Sequence, residues 1–118
     1  MFKFLSILIT LSFLIIGCSS PNTDLPNFNE GAWKKDKDGC DGIRQQMRSQ
    51  LIESKELLKG MNGDEISDVL GKPNNVNLAK RNQKYFIYNI TCATDSKEPS
   101  TLSIRFNATG LSYEVVVY

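Results

Sequence analysis

Residues 101–118, TLSIRFNATGLSYEVVVY, carry the pattern on which the fold turns. Leu102, Ile104 and Phe106 alternate with Ser103 and Arg105, the period of two expected of a strand with one buried face. Asn107-Ala108-Thr109-Gly110 is hairpin chemistry, with Gly110 suited to positive φ, and Leu111 to Tyr118 reads as the returning strand. Upstream, Lys84 to Cys92 alternates in the same way. Phe86, Tyr88, Ile90 and Cys92 fall on one side and Tyr85, Ile87, Asn89 and Thr91 on the other. A longer charged turn, Thr94 to Ser100, joins the two regions. The prediction is a three-stranded antiparallel meander, whose apolar face must be covered by another layer.

The cover is predicted from the segment before it. Between Asp38 and Lys59, Ile43, Met47, Leu51, Ser54 and Leu58 follow one another at helical spacing, and Ile52 and Leu57 widen the stripe. This is the pattern of an amphipathic helix. Asp36, Asp38 and Asp41 stand where the helix dipole favours negative charge, Lys55 and Lys59 where it favours positive charge, and Gly60 is placed to stop it. In Gly60 to Pro73, GMNGDEISDVLGKP, Asn62 and Glu65 are spaced as a capping box ahead of Ile66, Val69 and Leu70, and Gly71 and Pro73 end the element. The expected fold class is α+β, with a two-helix hairpin packed on the three-stranded antiparallel meander, in the order ααβββ.

The N-terminus speaks to location. Lys3 precedes an apolar run from Phe4 to Ile16, the layout of a secretory signal and too short for a membrane span, which needs about 18 to 20 residues. Its ending, Ile15-Ile16-Gly17-Cys18, resembles the lipobox of bacterial lipoproteins. That resemblance implies cleavage after Gly17, a diacylglycerol on the Cys18 thiol and an N-acyl lipid on its amine. Two or more chains make such an anchor stable, at about 0.8 kcal/mol per buried CH₂. Ser19, rather than an acidic residue, follows Cys18, which favours the outer membrane, facing the periplasm. The expected organisation is a signal peptide at 1–17, a lipidated N-terminus and flexible tether at 18–35, and a domain at 36–118. The tether composition, SSPNTDLPNFNEGAW over 19–33, shows no apolar period, and such a segment spans on the order of 20 Å.

The order of elements and several of its words resemble the SmpA/OmlA (BamE-like) outer-membrane lipoproteins. The carriers are the Gly60-Met61 corner, the helix ending Val69-Leu70-Gly71-Lys72-Pro73, the strand Tyr85-Phe86-Ile87-Tyr88, and Leu102 to Phe106 leading through Asn107 and Gly110 to Leu111. Repeats of β-lactamase-inhibitory proteins share the ααβββ shape. The resemblance implies a non-enzymatic envelope protein with a protein partner, an accessory of outer-membrane protein assembly.

Charge and cysteine content narrow the alternatives. The 118 residues carry 14 basic and 13 acidic groups, and Lys3 is the one charge in 1–17, so the remainder is balanced at 13 of each. Nucleic-acid binders show a basic excess or stripe, which this chain lacks. There is no histidine, and no Ser or Cys has an evident base beside it, so acyl-transfer chemistry has no machinery and the expectation is not an enzyme. With Cys18 given to lipid, Cys40 and Cys92 form an even pair, expected to bridge in an oxidising compartment, against two separate reduced thiols in a core. Two cysteines without histidine do not make a metal site, and no cofactor is expected beyond the lipid on Cys18. If Phe86 and its partners cover the helices, then Tyr85, Ile87, Val116 and Tyr118 form a partly apolar outer face. Such a patch suggests a partner, most simply another envelope protein. Scattered apolar surface explains it equally well. The alternative function is an inhibitor or small-ligand-binding lipoprotein using the same face.

Overall fold

Asn29 supplies the first side chain that fixes a helix. Its Oδ1 accepts from the Ala32 backbone N–H at 3.0 Å, Glu30 sits in the first turn and Lys34 and Lys35 in the last, and α1 spans Glu30–Lys35. In the computed structural model, which describes residues 25–94 and 99–118, α1 is followed by α2 (Ile43–Gln46), α3 (Arg48–Ser54), a 3₁₀ turn (Lys55–Leu58) and α4 (Gly63–Leu70). Four strands complete the chain: β1 (Asn75–Leu78), β2 (Lys84–Asn89), β3 (Thr101–Phe106) and β4 (Ser112–Val117). They form one antiparallel sheet in the order β1-β2-β3-β4.

The α+β class stands, and the sheet has four strands where the sequence predicts three. The addition is β1, paired along Asn75↔Ile87 to Leu78↔Lys84, with all four of its residues exposed. It carries no alternation of buried and exposed positions because the helices do not reach over this edge. Backbone pairing to β2 makes it a strand, and its asparagines give no propensity signal.

The N-terminal segment also differs from expectation. Residues 25–35, which composition places in the tether, are packed: Leu25 and Phe28 are buried and Trp33 is fully so. Phe28 and Trp33 rings lie 5.6 Å apart, Trp33 and Tyr88 rings 6.4 Å apart, and Trp33 Nε1 donates to the Leu70 carbonyl at 3.1 Å. A tryptophan removes roughly 200 Å² from water, enough to hold an otherwise polar segment on the core.

The predicted helix over Asp38–Lys59 is broken instead of continuous. It begins at Ile43, because Gly42 takes φ +80°, and Met47 at φ −88°, ψ 0° separates α2 from α3. Met47, Leu51, Ser54 and Leu58 of the stripe read from the sequence are buried and Ile43 partly so, whereas Ile52 and Leu57, expected to widen it, are exposed. The capping box of α4 is present in both directions, Glu65 N–H to Asn62 Oδ1 at 2.9 Å and Asn62 N–H to Glu65 Oε1 at 3.4 Å. Ile66, Val69 and Leu70 then face Phe86, Tyr88, Leu102, Ile104, Phe106 and Val115 in a shared core.

Cys40 and Cys92 are joined by a disulfide across 52 positions. In the chain-entropy picture a loop of that length is worth roughly 4 kcal/mol. The bridge holds the 36–42 loop against the end of β2, where Gly39 at φ +71° lies so close that a Cβ would come within 2.9 Å of the Asn89 carbonyl.

Two outcomes are expected. Trp33→Ala lowers unfolding stability by about 3 to 5 kcal/mol, read from the urea midpoint. A residue on a free tether would leave that midpoint unmoved. Alkylation of the non-reduced, unfolded chain adds no label at Cys40 or Cys92, and both label after reductant.

Candidate functional site

Strand alternation puts Tyr85 and Ile87 of β2, Ser103 and Arg105 of β3, and Glu114 and Val116 of β4 on the sheet face away from the helices. Two rows cross it. One runs Ile87, Ser103, Val116, and the other Tyr85, Arg105, Glu114. Tyr85, Ile87 and Val116 are half-buried, and Tyr118, just past the end of β4, is 65% exposed.

Arg105 organises this face, a role the sequence reading did not give it. Its guanidinium carbon stands 5.4 Å from the Tyr85 ring centroid and 5.3 Å from that of Tyr113. Gln83 Oε1 accepts from Arg105 Nε at 2.9 Å and Nη2 at 2.6 Å, and from the Tyr113 hydroxyl at 3.2 Å. Tyr113 reaches the cluster because the β3–β4 register shifts between Arg105 and Phe106. That bulge could not be read from the sequence, since strict alternation places Tyr113 on the inner face. Each cation–π contact at such a partly exposed position contributes about 0.5 to 1 kcal/mol. The result is a rigid aromatic and guanidinium surface, the composition enriched where proteins bind one another.

On the helical side lies a polar centre built on Arg44, which is 1% exposed. Its Nε donates to the Trp33 carbonyl at 3.0 Å, and its Nη1 to Asn74 Oδ1 and to the Asn89 carbonyl, both at 3.1 Å. The guanidinium carbon is 4.5 Å from the Trp33 ring centroid. Asp36, also 1% exposed, accepts the backbone N–H of Asp41 and of Arg44, each at 3.0 Å. Burial pushes the Asp36 carboxyl upward in pKa, but the Arg44, Asp41 and Ile43 backbone N–H groups and the Arg44 charge outweigh it and leave the group below its ordinary value. Burial lowers the Arg44 pKa, opposed by Asp36 and by Tyr88 and Asp38. Burial likewise raises the Tyr88 hydroxyl, which donates to the Gly71 carbonyl at 2.8 Å.

Cys18 and the lipobox lie outside the described residues. Among the described residues no group of three or more His, Cys, Asp or Glu side chains is placed to hold a metal ion, and no helix is long and apolar enough to cross a membrane.

A short helical layer over an antiparallel sheet, with an aromatic and guanidinium outer face, defines a small α+β domain. Residues 52–115, more than half of the chain, match the family model of the outer membrane protein assembly factor BamE domain, and the chain belongs to that family. Comparison with curated proteins finds no match, and comparison with solved structures finds none either. The matched span contains α4, β1 to β3, the first four residues of β4 and the Tyr85–Arg105–Tyr113 cluster, whereas α1, α2, Asp36 and Arg44 precede it.

The electrostatics of Asp36 set a pH dependence. A depressed folded-state pKa stabilises above the unfolded value of about 3.9, and that contribution is lost as pH falls through the folded value. Asp36→Asn is therefore expected to lower unfolding stability, read from the urea midpoint, by about 1 to 3 kcal/mol at pH 7 and by less at pH 3. Equal losses at the two pH values would refute the ionised role of Asp36.

Proposed function

We propose that this chain is a membrane-anchored envelope lipoprotein whose BamE-family domain is a non-enzymatic protein-interaction module, serving as an accessory of outer-membrane protein assembly. The observation that carries the reading is the family match over residues 52–115 together with what that span presents, the Tyr85, Arg105 and Tyr113 cluster on the sheet's outer face. Ile87, Val116 and Tyr118 extend this cluster into the partner-binding surface, and the partner is another envelope protein. The lipobox at Ile15 to Cys18 supports a diacylglycerol and N-acyl anchor on Cys18, with the domain on the periplasmic side of the outer membrane.

The anchor and the surface are tested separately. Cys18→Ala moves the chain from the membrane fraction to the soluble fraction if the cysteine carries the lipid. A photocrosslinking residue in place of Ile87 or Tyr118, activated in intact cells, captures barrel-assembly proteins. Arg105→Ala weakens that capture by at least tenfold, the scale of a central arginine contact of about 2 kcal/mol. Capture of a single exported hydrolase instead would replace this reading with the inhibitor class.

A further inference from the structure

We infer that the cleft between α1 and the Gly71–Asn74 segment is a second binding site, one that takes an acidic peptide segment. The cleft has a volume of about 420 Å³ and is lined by Lys34, Lys37, Lys72 and Arg44, with Asp38 as the one carboxylate among its lining residues. That leaves an excess of three positive charges in a chain whose charges otherwise nearly balance. The volume falls in the range of about 300 to 1,000 Å³ typical of ligand sites and exceeds what a single small oxyanion fills.

Arg44 gives the site its depth. Its Nε and Nη1 are committed to Trp33, Asn74 and Asn89, whereas Nη2 has no protein acceptor among the described residues. Lys34 is held across the cleft by donating from Nζ to the Asp68 carbonyl, which leaves two of its three N–H groups for another acceptor. Gly71, at φ +77°, makes room for it, since a Cβ there would stand 3.3 Å from Lys34 Cγ. Gly71 and Pro73, both partly exposed, form a short apolar wall beside these donors.

Donors next to an apolar wall suit a carboxylate carried on a short aliphatic stem, which is the glutamate side chain. One carboxylate would take Arg44 Nη2 with Lys34, its methylenes would lie on Pro73, and neighbouring acidic groups would meet Lys37 and Lys72. The framework is set before binding. Asn74 Nδ2 donates to the Lys37 carbonyl at 2.7 Å and Trp33 Nε1 to that of Leu70 at 3.1 Å, so little ordering remains when the ligand arrives. The cleft is on the helical side, lined by none of the residues of the outer sheet face.

The test is an NMR titration of the isotope-labelled full chain in dodecyl maltoside micelles with N-acetylated, C-amidated hexaglutamate. Expected are shifts at the Gly71, Lys72 and Asn74 amides and at the Arg44 Nε–H, with binding weakened about tenfold in the Lys34→Met, Lys72→Met double variant. Lys80→Ala with Arg81→Ala, which removes the same charge elsewhere, should change binding by less than twofold. Arg44→Lys keeps the charge but loses the fork and should also bind weakly. Should that variant fail to fold, the lysine double variant, which leaves the Arg44 contacts intact, decides. Equal weakening by the Lys80 and Arg81 pair, shifts confined to other regions, or no binding would overturn the inference. So would displacement of the peptide by inorganic phosphate or by phosphatidylglycerol in the micelles at equal charge, since the site would then favour phosphate.

Discussion

A guanidinium group withdrawn from water must be given acceptors, and those that Arg44 takes lie far apart in the chain. They are the Trp33 carbonyl in α1, the Asn74 side chain before β1 and the Asn89 carbonyl at the end of β2. Asn74 is a second node, because its Oδ1 also accepts from the Asn89 N–H at 2.8 Å while its Nδ2 binds the Lys37 carbonyl. One side chain thereby fixes where the N-terminal helix, the loop after it and the first strand stand relative to the sheet. Asp36 balances the charge through its field and through the backbone it holds, with no direct ion pair to the guanidinium. Removing one member of such a buried arrangement leaves the others without partners, which is more damaging than the net worth of the contacts. The disulfide acts on the same junction, since Cys40 lies between Asp36 and Arg44 and Cys92 lies three residues beyond Asn89.

The parts of the fold legible in the sequence are those where periodicity and burial coincide. β3 spans Thr101–Phe106 as its alternation requires, and α4 spans Gly63–Leu70 behind the Asn62 and Glu65 capping box. β1 gave no such signal, because an edge strand beyond the reach of the helices is exposed on all four residues. α1 did leave a trace: Asn29, Glu30 and the Lys34-Lys35 pair are a helix cap and dipole-matched ends, hidden by the Ser, Pro and Asn content around them. Arg44 was illegible for a deeper reason. An arginine on a helix reads as solvated, and its burial depends on acceptors from residues 33, 74 and 89 that only the tertiary structure brings together.

The outer face shows the same division. Alternation alone places Tyr85, Ile87 and Val116 together, since the pleat leaves no other choice. It cannot supply Tyr113, which joins the group only through the register shift beside Phe106. One displaced residue converts a half-apolar sheet surface into an arginine held between two tyrosine rings, with Gln83 fixing the guanidinium from the side. Interaction surfaces of this kind depend on irregularities of a sheet as much as on its pattern.

The docking of Leu25 and Phe28 in the core has a geometric consequence for a chain anchored through Cys18. If the proposed lipid is carried on Cys18, seven residue steps separate it from Leu25, at most about 25 Å of chain. A domain so anchored would stay close to the bilayer by the end that carries α1. Partners of a domain so anchored would have to come to it near the membrane plane.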